Sequence, residues 1–110
     1  MARIGKRLGA GASGAGTGSY VTAYTCPAGR RGFVTQVHFS NTGAADQLAS
    51  AMIDIGSSAY NLLGTKTIPA FDYEDLLASP GFVINAGESL KVACNNTTAY
   101  VAFGYEEVVD

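Results

Sequence analysis

An all-β domain, an antiparallel β-sandwich of the jelly-roll kind with an extended N-terminal arm, is predicted from three observations. Short stretches alternate apolar and polar residues at period two, and turn signals recur every eight to twelve residues. The residue mix favours strands and turns: fourteen glycines, six tyrosines, five phenylalanines and no tryptophan. A chain of 110 residues supplies one core and leaves no room for a second.

Residues 1 to 18 hold six glycines together with Arg3, Lys6 and Arg7 and no acid, so a flexible basic arm is expected there, with residues 19 to 110 forming the sandwich. The body opens with Tyr20, Thr22 and Tyr24 alternating with Val21, Ala23 and Thr25. A Pro27-Ala28-Gly29 turn, with Arg30 and Arg31 at its exposed tip, is expected to fold the next strand, Gly32 to Ser40, back as a hairpin. In that strand Phe33, Val37 and Phe39 are assigned to the core, Gln36 and His38 to the opposite face.

Leu48 to Ile55 offers Ala49, Ala51, Ile53 and Ile55 to the core, its small alanines allowing close approach of an opposing sheet. Short strands are expected at Tyr60 to Leu63 and Lys66 to Ile68. Asp72 to Ser79 reads as a capped helical turn ended by Pro80, with an irregular edge strand as the competing reading. Phe82 to Ile84, a turn at Asn85 to Glu88 and a strand from Ser89 to Cys94 follow; Leu90 and Val92 point inward. A hairpin turn at Asn95 to Thr98 leads to the last strand, Ala99 to Val108, with Val101, Phe103 and Tyr105 on one face and Val101 and Phe103 assigned to the core.

Composition then limits function. Charged residues make up 15% of the chain where ~25% is typical, and apolar residues 47%, so part of the surface is expected to be covered by another molecule. Residues 19 to 110 carry four basic against nine acidic groups, a net −5, which argues against nucleic acid as the main partner. No run of ~18 apolar residues exists, so no membrane partner is expected. The glycine-rich start does not read as a signal peptide, and Ala2 rules out the myristoylation pattern. Synthesis in the cytoplasm is expected, with Cys26 and Cys94 as free thiols.

No catalytic residue, cofactor or metal is assigned. Gly9-Ala10-Gly11-Ala12-Ser13-Gly14 matches G-x-G-x-x-G, but the pattern needs a preceding strand and a following helix to present amides to a pyrophosphate. His38, the single histidine, has no serine or carboxylate close in sequence and reads as a surface or subunit-contact residue. Cys26 and Cys94, 68 residues apart, lack paired zinc spacing. Asp72, Glu74 and Asp75 lack the glycine and distal glutamate of a calcium loop and read as a solvated turn.

The order of turn motifs resembles that of small β-sandwich structural proteins of tailed bacteriophages. The resemblance rests on the tyrosine strand, Pro27-Ala28-Gly29, Asn41-Thr42-Gly43, Ile68-Pro69-Ala70 and Asn85 to Val92, the last similar to an A-G-(D/E)-x-L turn. It spans residues 20 to 108 and implies a virion protein of the capsid decoration (cement) type, or a tail or neck accessory subunit.

Two functional expectations follow. The first is a non-enzymatic virion subunit that forms a homo-oligomer, a trimer by the resemblance, and contacts the major capsid protein through Arg3, Lys6, Arg7, Arg30, Arg31, Tyr20 and Tyr24. Val34, Met52, Tyr20, Tyr24 and Tyr100, assigned to outward faces, would be buried between subunits. The alternative is a carbohydrate-binding module stacking sugars on Tyr20, Tyr24, Tyr60, Tyr73 and Tyr100.

Overall fold

The computed structural model describes residues 3–11, 20–94 and 97–109, with the backbone alone for residues 3–7 and 10. Its strands are Arg3–Gly11 (β1), Val21–Thr25 (β2), Arg30–Asn41 (β3), Gln47–Asp54 (β4), Ala59–Ile68 (β5), Tyr73–Asn85 (β6), Ser89–Cys94 (β7) and Thr98–Val108 (β8). None of the described residues is helical.

The strands make two antiparallel sheets, the first in the order β1-β8-β3-β6 and the second in the order β2-β7-β4-β5. The pairing is nested. β1 pairs with β8, β2 with β7, β3 with β6 and β4 with β5, and the β3–β8 and β4–β7 ladders join these pairs into sheets.

Only β4 and β5 are both consecutive and paired, which corrects two expected hairpins. β2 and β3 lie in different sheets, as do β7 and β8, so their connections cross the ~10 Å gap between sheets rather than the ~4.8 Å between strands. Of the second connection, Asn95 and Asn96 lie outside the described residues.

Side chains from both sheets share one core. Val34, Val37, Phe39, Ile84 and Ala102 of the first sheet meet Ala49, Ala51, Leu90, Val92 and Cys94 of the second. Ala49 and Ala51 are fully buried, as their size suggested, whereas Ile53 is half-buried and Ile55, one residue beyond β4, is exposed. Both cysteines are buried free thiols.

A register shift at Thr35 inverts the alternation of β3. One extra residue between Val34 and Gln36 sends Val34 inward and leaves Phe33 outside, where its ring stacks on Tyr105 at 4.7 Å. β8 is likewise reversed from expectation: Tyr100, Ala102 and Glu106 are buried, while Val101, Phe103 and Tyr105 look outward. Gly104 is held to its identity by close packing, since a Cβ there would sit 1.9 Å from the Phe33 carbonyl oxygen.

Asp72–Ser79 is not a helical turn. Asp72 does accept a hydrogen bond from the Tyr73 amide, but from Tyr73 onward the β3 ladder takes the backbone, and the segment becomes the first half of β6. The first half of the expected arm is also a strand. β1 pairs along β8 from Arg3 opposite Glu107 to Gly11 opposite Tyr100, and Leu8 packs against the core. Residues 12–19, including the rest of the arm and of the G-x-G-x-x-G match, lie outside the described residues.

Candidate functional site

Arg30, Arg31 and Tyr24 come together at one end of the sandwich. The Pro27–Arg30 turn, closed by Arg30 N–H on the Pro27 carbonyl, brings β2 of the second sheet beside β3 of the first. Tyr24 lies over Gly32, where a Cβ would come within 2.8 Å of the ring, and its hydroxyl donates to Glu106 Oε2 at 2.5 Å. Arg30 Nη1 donates to Glu106 Oε1 at 2.8 Å. A fully buried carboxylate is thus held by one donor from each sheet.

Burial, and then the hydrogen bond to Glu106, push the Tyr24 hydroxyl far above its ordinary pKa and keep it a donor. The Cys26 thiol donates to the Arg30 carbonyl, and Cys26 N–H and C=O bind Glu88 and Gly87 of the β6–β7 turn. These contacts correct the expected role of Tyr24, which is buried inside the sandwich. Tyr20 is half-buried, and the side chains of Arg3, Lys6 and Arg7 lie outside the description.

Arg31 points elsewhere. With Gly29, Arg30, Asn85, Ala86 and Val109 it lines a cavity of about 190 Å³. That is below the ~300 Å³ at which small-molecule sites begin and of the size of one amino-acid side chain. Among the described residues Arg31 has no carboxylate at ion-pair distance.

The outer face of the first sheet is the other candidate. Leu77 and Tyr73 are 68% and 61% exposed, Val83 and Phe103 are also exposed, and half-buried Phe33, Val101 and Tyr105 lie among them. Among the described residues Arg31 and Glu107 share its Arg30 end, and a polar group interrupts it further along. His38 Nδ1 lies 2.6 Å from Asp75 Oδ1, Gln36 Nε2 donates to the same oxygen at 3.0 Å, and Tyr73 stacks on the imidazole at 5.3 Å. The Gln36 amide foremost, and His38 after it, hold the Asp75 carboxyl below its ordinary range against the opposing effect of burial.

A histidine paired to an aspartate is half of a hydrolytic constellation. Here the pair lies on an open sheet face, and among the described residues no hydroxyl or thiol hydrogen-bonds to His38. No group of three or more metal-ligating side chains gathers among the described residues. Of the five tyrosines proposed to stack sugars, Tyr24 and Tyr100 are buried.

Asn41 organises the end of β3 opposite Arg30. Its Nδ2 donates to the carbonyls of Ala45, Ile68 and Pro69, and its Oδ1 accepts from Gly43 N–H and the Thr97 hydroxyl. Sequence reasoning used Asn41 only as a turn residue. Asp75 it read as part of a solvated turn, and Glu106 as a residue of the last strand. Apart from Gly43 and Ala45 beside Asn41, their partners lie 27 to 82 residues away, beyond the reach of any local signal. Compared with protein-family models, curated proteins and solved structures, the chain matches none.

Proposed function

We propose that the protein is a non-enzymatic structural subunit of the capsid decoration type, which associates with copies of itself through the outer face of the first sheet. The single observation that carries the reading is the character of that face. Tyr and Phe side chains present ~150–250 Å² each, so its exposed aromatic and aliphatic groups amount to on the order of 500 Å² of apolar surface. That is at the upper end of the largest patch on ordinary monomers, ~300–600 Å², and approaches the ~800 Å² per partner of a stable interface. A second copy can supply a matching apolar area.

The strand order supports the reading at the level of fold. Nested pairs first-to-last, distributed over sheets β1-β8-β3-β6 and β2-β7-β4-β5, support reading the sandwich as a long hairpin rolled into a jelly roll, an architecture used by viral shell proteins and also by lectins and cupins. The turn motifs that resemble tailed-phage proteins favour the first of these, and with them a trimer that binds the major capsid protein in a virion. Light scattering of the purified chain at micromolar concentration, with co-sedimentation on purified particles, tests the proposal. Oligomers that bind particles are expected; a strict monomer that leaves particles unbound would sink it.

A further inference from the structure

Phe71 breaks a local rule. It is 74% exposed, the most exposed large apolar residue described, and it has φ +57° in a turn where glycine or asparagine is the unstrained choice. The turn is nevertheless held firmly. Asp72 N–H closes it on the Pro69 carbonyl, and Phe71 N–H donates to Gly43 C=O. Ala70 N–H donates to Asp46 Oδ1 at 3.2 Å, while Asn41 binds the Ile68 and Pro69 carbonyls with its side chain and the Asp72 carbonyl with its own N–H. Six hydrogen bonds therefore present an aromatic ring to water in a conformation that ring disfavours.

The arrangement suits a pre-positioned knob, for which the ordering cost of binding is already met within the fold. A socket of matching size exists on the same chain. The cavity lined by Gly29, Arg30, Arg31, Asn85, Ala86 and Val109 holds about 190 Å³, and its Arg31 guanidinium has no carboxylate partner among the described residues. Guanidinium groups bind aromatic faces by cation–π attraction, and exposed Asp72 and Asp46 beside the knob complement the positive charge. Among the described residues Glu106 is buried on Arg30 and Glu88 accepts the Asn85 amide, while Glu107 stands opposite Arg31 in the β3–β8 ladder without reaching ion-pair distance of it.

Knob and socket cannot meet within one molecule. Phe71 sits at the Asn41 end of β3 and the cavity at its Arg30 end, with twelve residues of strand, ~40 Å at 3.3 Å each, between them in a body 48 Å long. We propose that Phe71 of one copy inserts into the Arg31 cavity of the next, a head-to-tail contact at the Arg30 end of β3, away from Leu77 and Tyr73 on the outer face of the first sheet. Such a contact closes a ring where the rotation between copies allows and otherwise runs on as a chain. The inference rests on the reading of the protein as a self-associating subunit.

Sedimentation velocity on the full chain tests it with three variants. Phe71→Gly is expected to keep or raise the thermal midpoint, because it relieves the positive φ, while weakening association by about 30-fold or more, as loss of an aromatic anchor does. Ala86→Trp, which fills the socket, and Arg31→Ala are expected to weaken association similarly with circular dichroism unchanged. An equimolar mixture of Phe71→Gly and Ala86→Trp retains one intact knob and one intact socket and, with Leu77→Glu in both to disable the outer face, is expected to form mixed pairs that grow no further. A wild-type size distribution for folded Phe71→Gly, or a mixture that forms no pairs, overturns the head-to-tail contact. Oligomers that survive Phe71→Gly but dissociate on Leu77→Glu also overturn it, and leave the proposed function standing.

Discussion

The two sheets share a core but face outward on different terms. Beyond the second sheet stand Thr22, Thr25, Ser89, Lys91, Asp54 and Asn61, with half-buried Met52 between Lys91 and Asn61, Lys91 Nζ 2.9 Å from Asp54 Oδ2 and the Thr25 and Ser89 hydroxyls 2.9 Å apart. Beyond the first stand Phe33, Tyr73, Leu77, Val83, Val101, Phe103 and Tyr105, relieved by the His38–Asp75 pair and Gln36. Both sheets solve the same inward problem, so the difference has no source in folding stability. Water selects the chemistry of one face, and on our proposal another protein surface selects that of the other.

The most forceful way to break this contrast is to place charge on each face in turn. Leu77→Glu combined with Phe103→Glu is expected to weaken self-association at least 100-fold, since two buried apolar side chains at ~1.5–3 kcal/mol each are lost. Chemical denaturation should find the fold within about 1 kcal/mol of wild type, both sites being exposed. Thr22→Glu with Asn61→Glu on the second sheet is expected to change association less than about threefold, within the small effect typical of exposed sites. Equal losses from both faces, measured by sedimentation equilibrium, would erase the distinction.

A smaller effect separates folding from association. Glu106→Gln removes the charge that Arg30 and Tyr24 share across the two sheets. Breaking a fully buried pair costs ~3–5 kcal/mol, but Arg30 is 36% exposed and keeps some solvation, so about 2 kcal/mol of unfolding free energy is expected. Association through the outer face of the first sheet should stay unchanged, as that face does not contain the group. A variant that kept full stability in urea titrations would show that Glu106 contributes nothing to joining the sheets.

The finest distinction lies in the two outward carboxylates. Asp54 is held below its ordinary 3.8 chiefly by Lys91 and then by the Gly56 amide, Asp75 chiefly by Gln36 and then by His38. A carboxyl depressed in the folded state stabilises the fold above its unfolded pKa, and that contribution is lost as pH falls through the folded value. Both should therefore support the fold at pH 5 and cease to do so under strong acid. Carboxyl carbon titration by NMR should show Gln36→Ala raising the Asp75 midpoint alone and Lys91→Ala raising that of Asp54 alone. Cross-effects on the other face would mean that the two are electrostatically joined through the core.

Much of this architecture was legible in sequence, and what was not has physical causes. Turn chemistry located the reversals at Pro27-Ala28-Gly29 and Asn85–Glu88, because positive φ at Gly29 and Gly87 needs particular residues. It could not tell a hairpin from an arch between sheets, since both begin with the same local turn. Alternation placed Val37, Phe39, Leu90 and Val92 inside. In β8 both registers are apolar, and the larger set, Val101, Phe103 and Tyr105, went outward while Tyr100 and Ala102 filled the core. Period two identifies the buried face only where the other face is polar, so the strand hardest to read belongs to the face that separates the sheets. Arg30 and Arg31 were singled out together, yet one is occupied by Glu106 and the other lines the cavity, a division set by a carboxylate 76 residues away.

The nested pairing also bears on how the chain reaches this state. Of the paired strands only β4 and β5 are joined by a short connection; each pair outward closes a longer loop, until β1 must find β8 about a hundred residues away. Long-range pairings of this kind form slowly, and the last of them leaves the β8 edge open while the rest of the sandwich is already assembled. A β1 strand from a neighbouring chain has the same sequence and fits the same edge, so intermolecular strand exchange competes with closure in proportion to concentration. Refolding from denaturant should accordingly give monomeric closure in dilute solution and exchanged, interlinked molecules as the chains are crowded together.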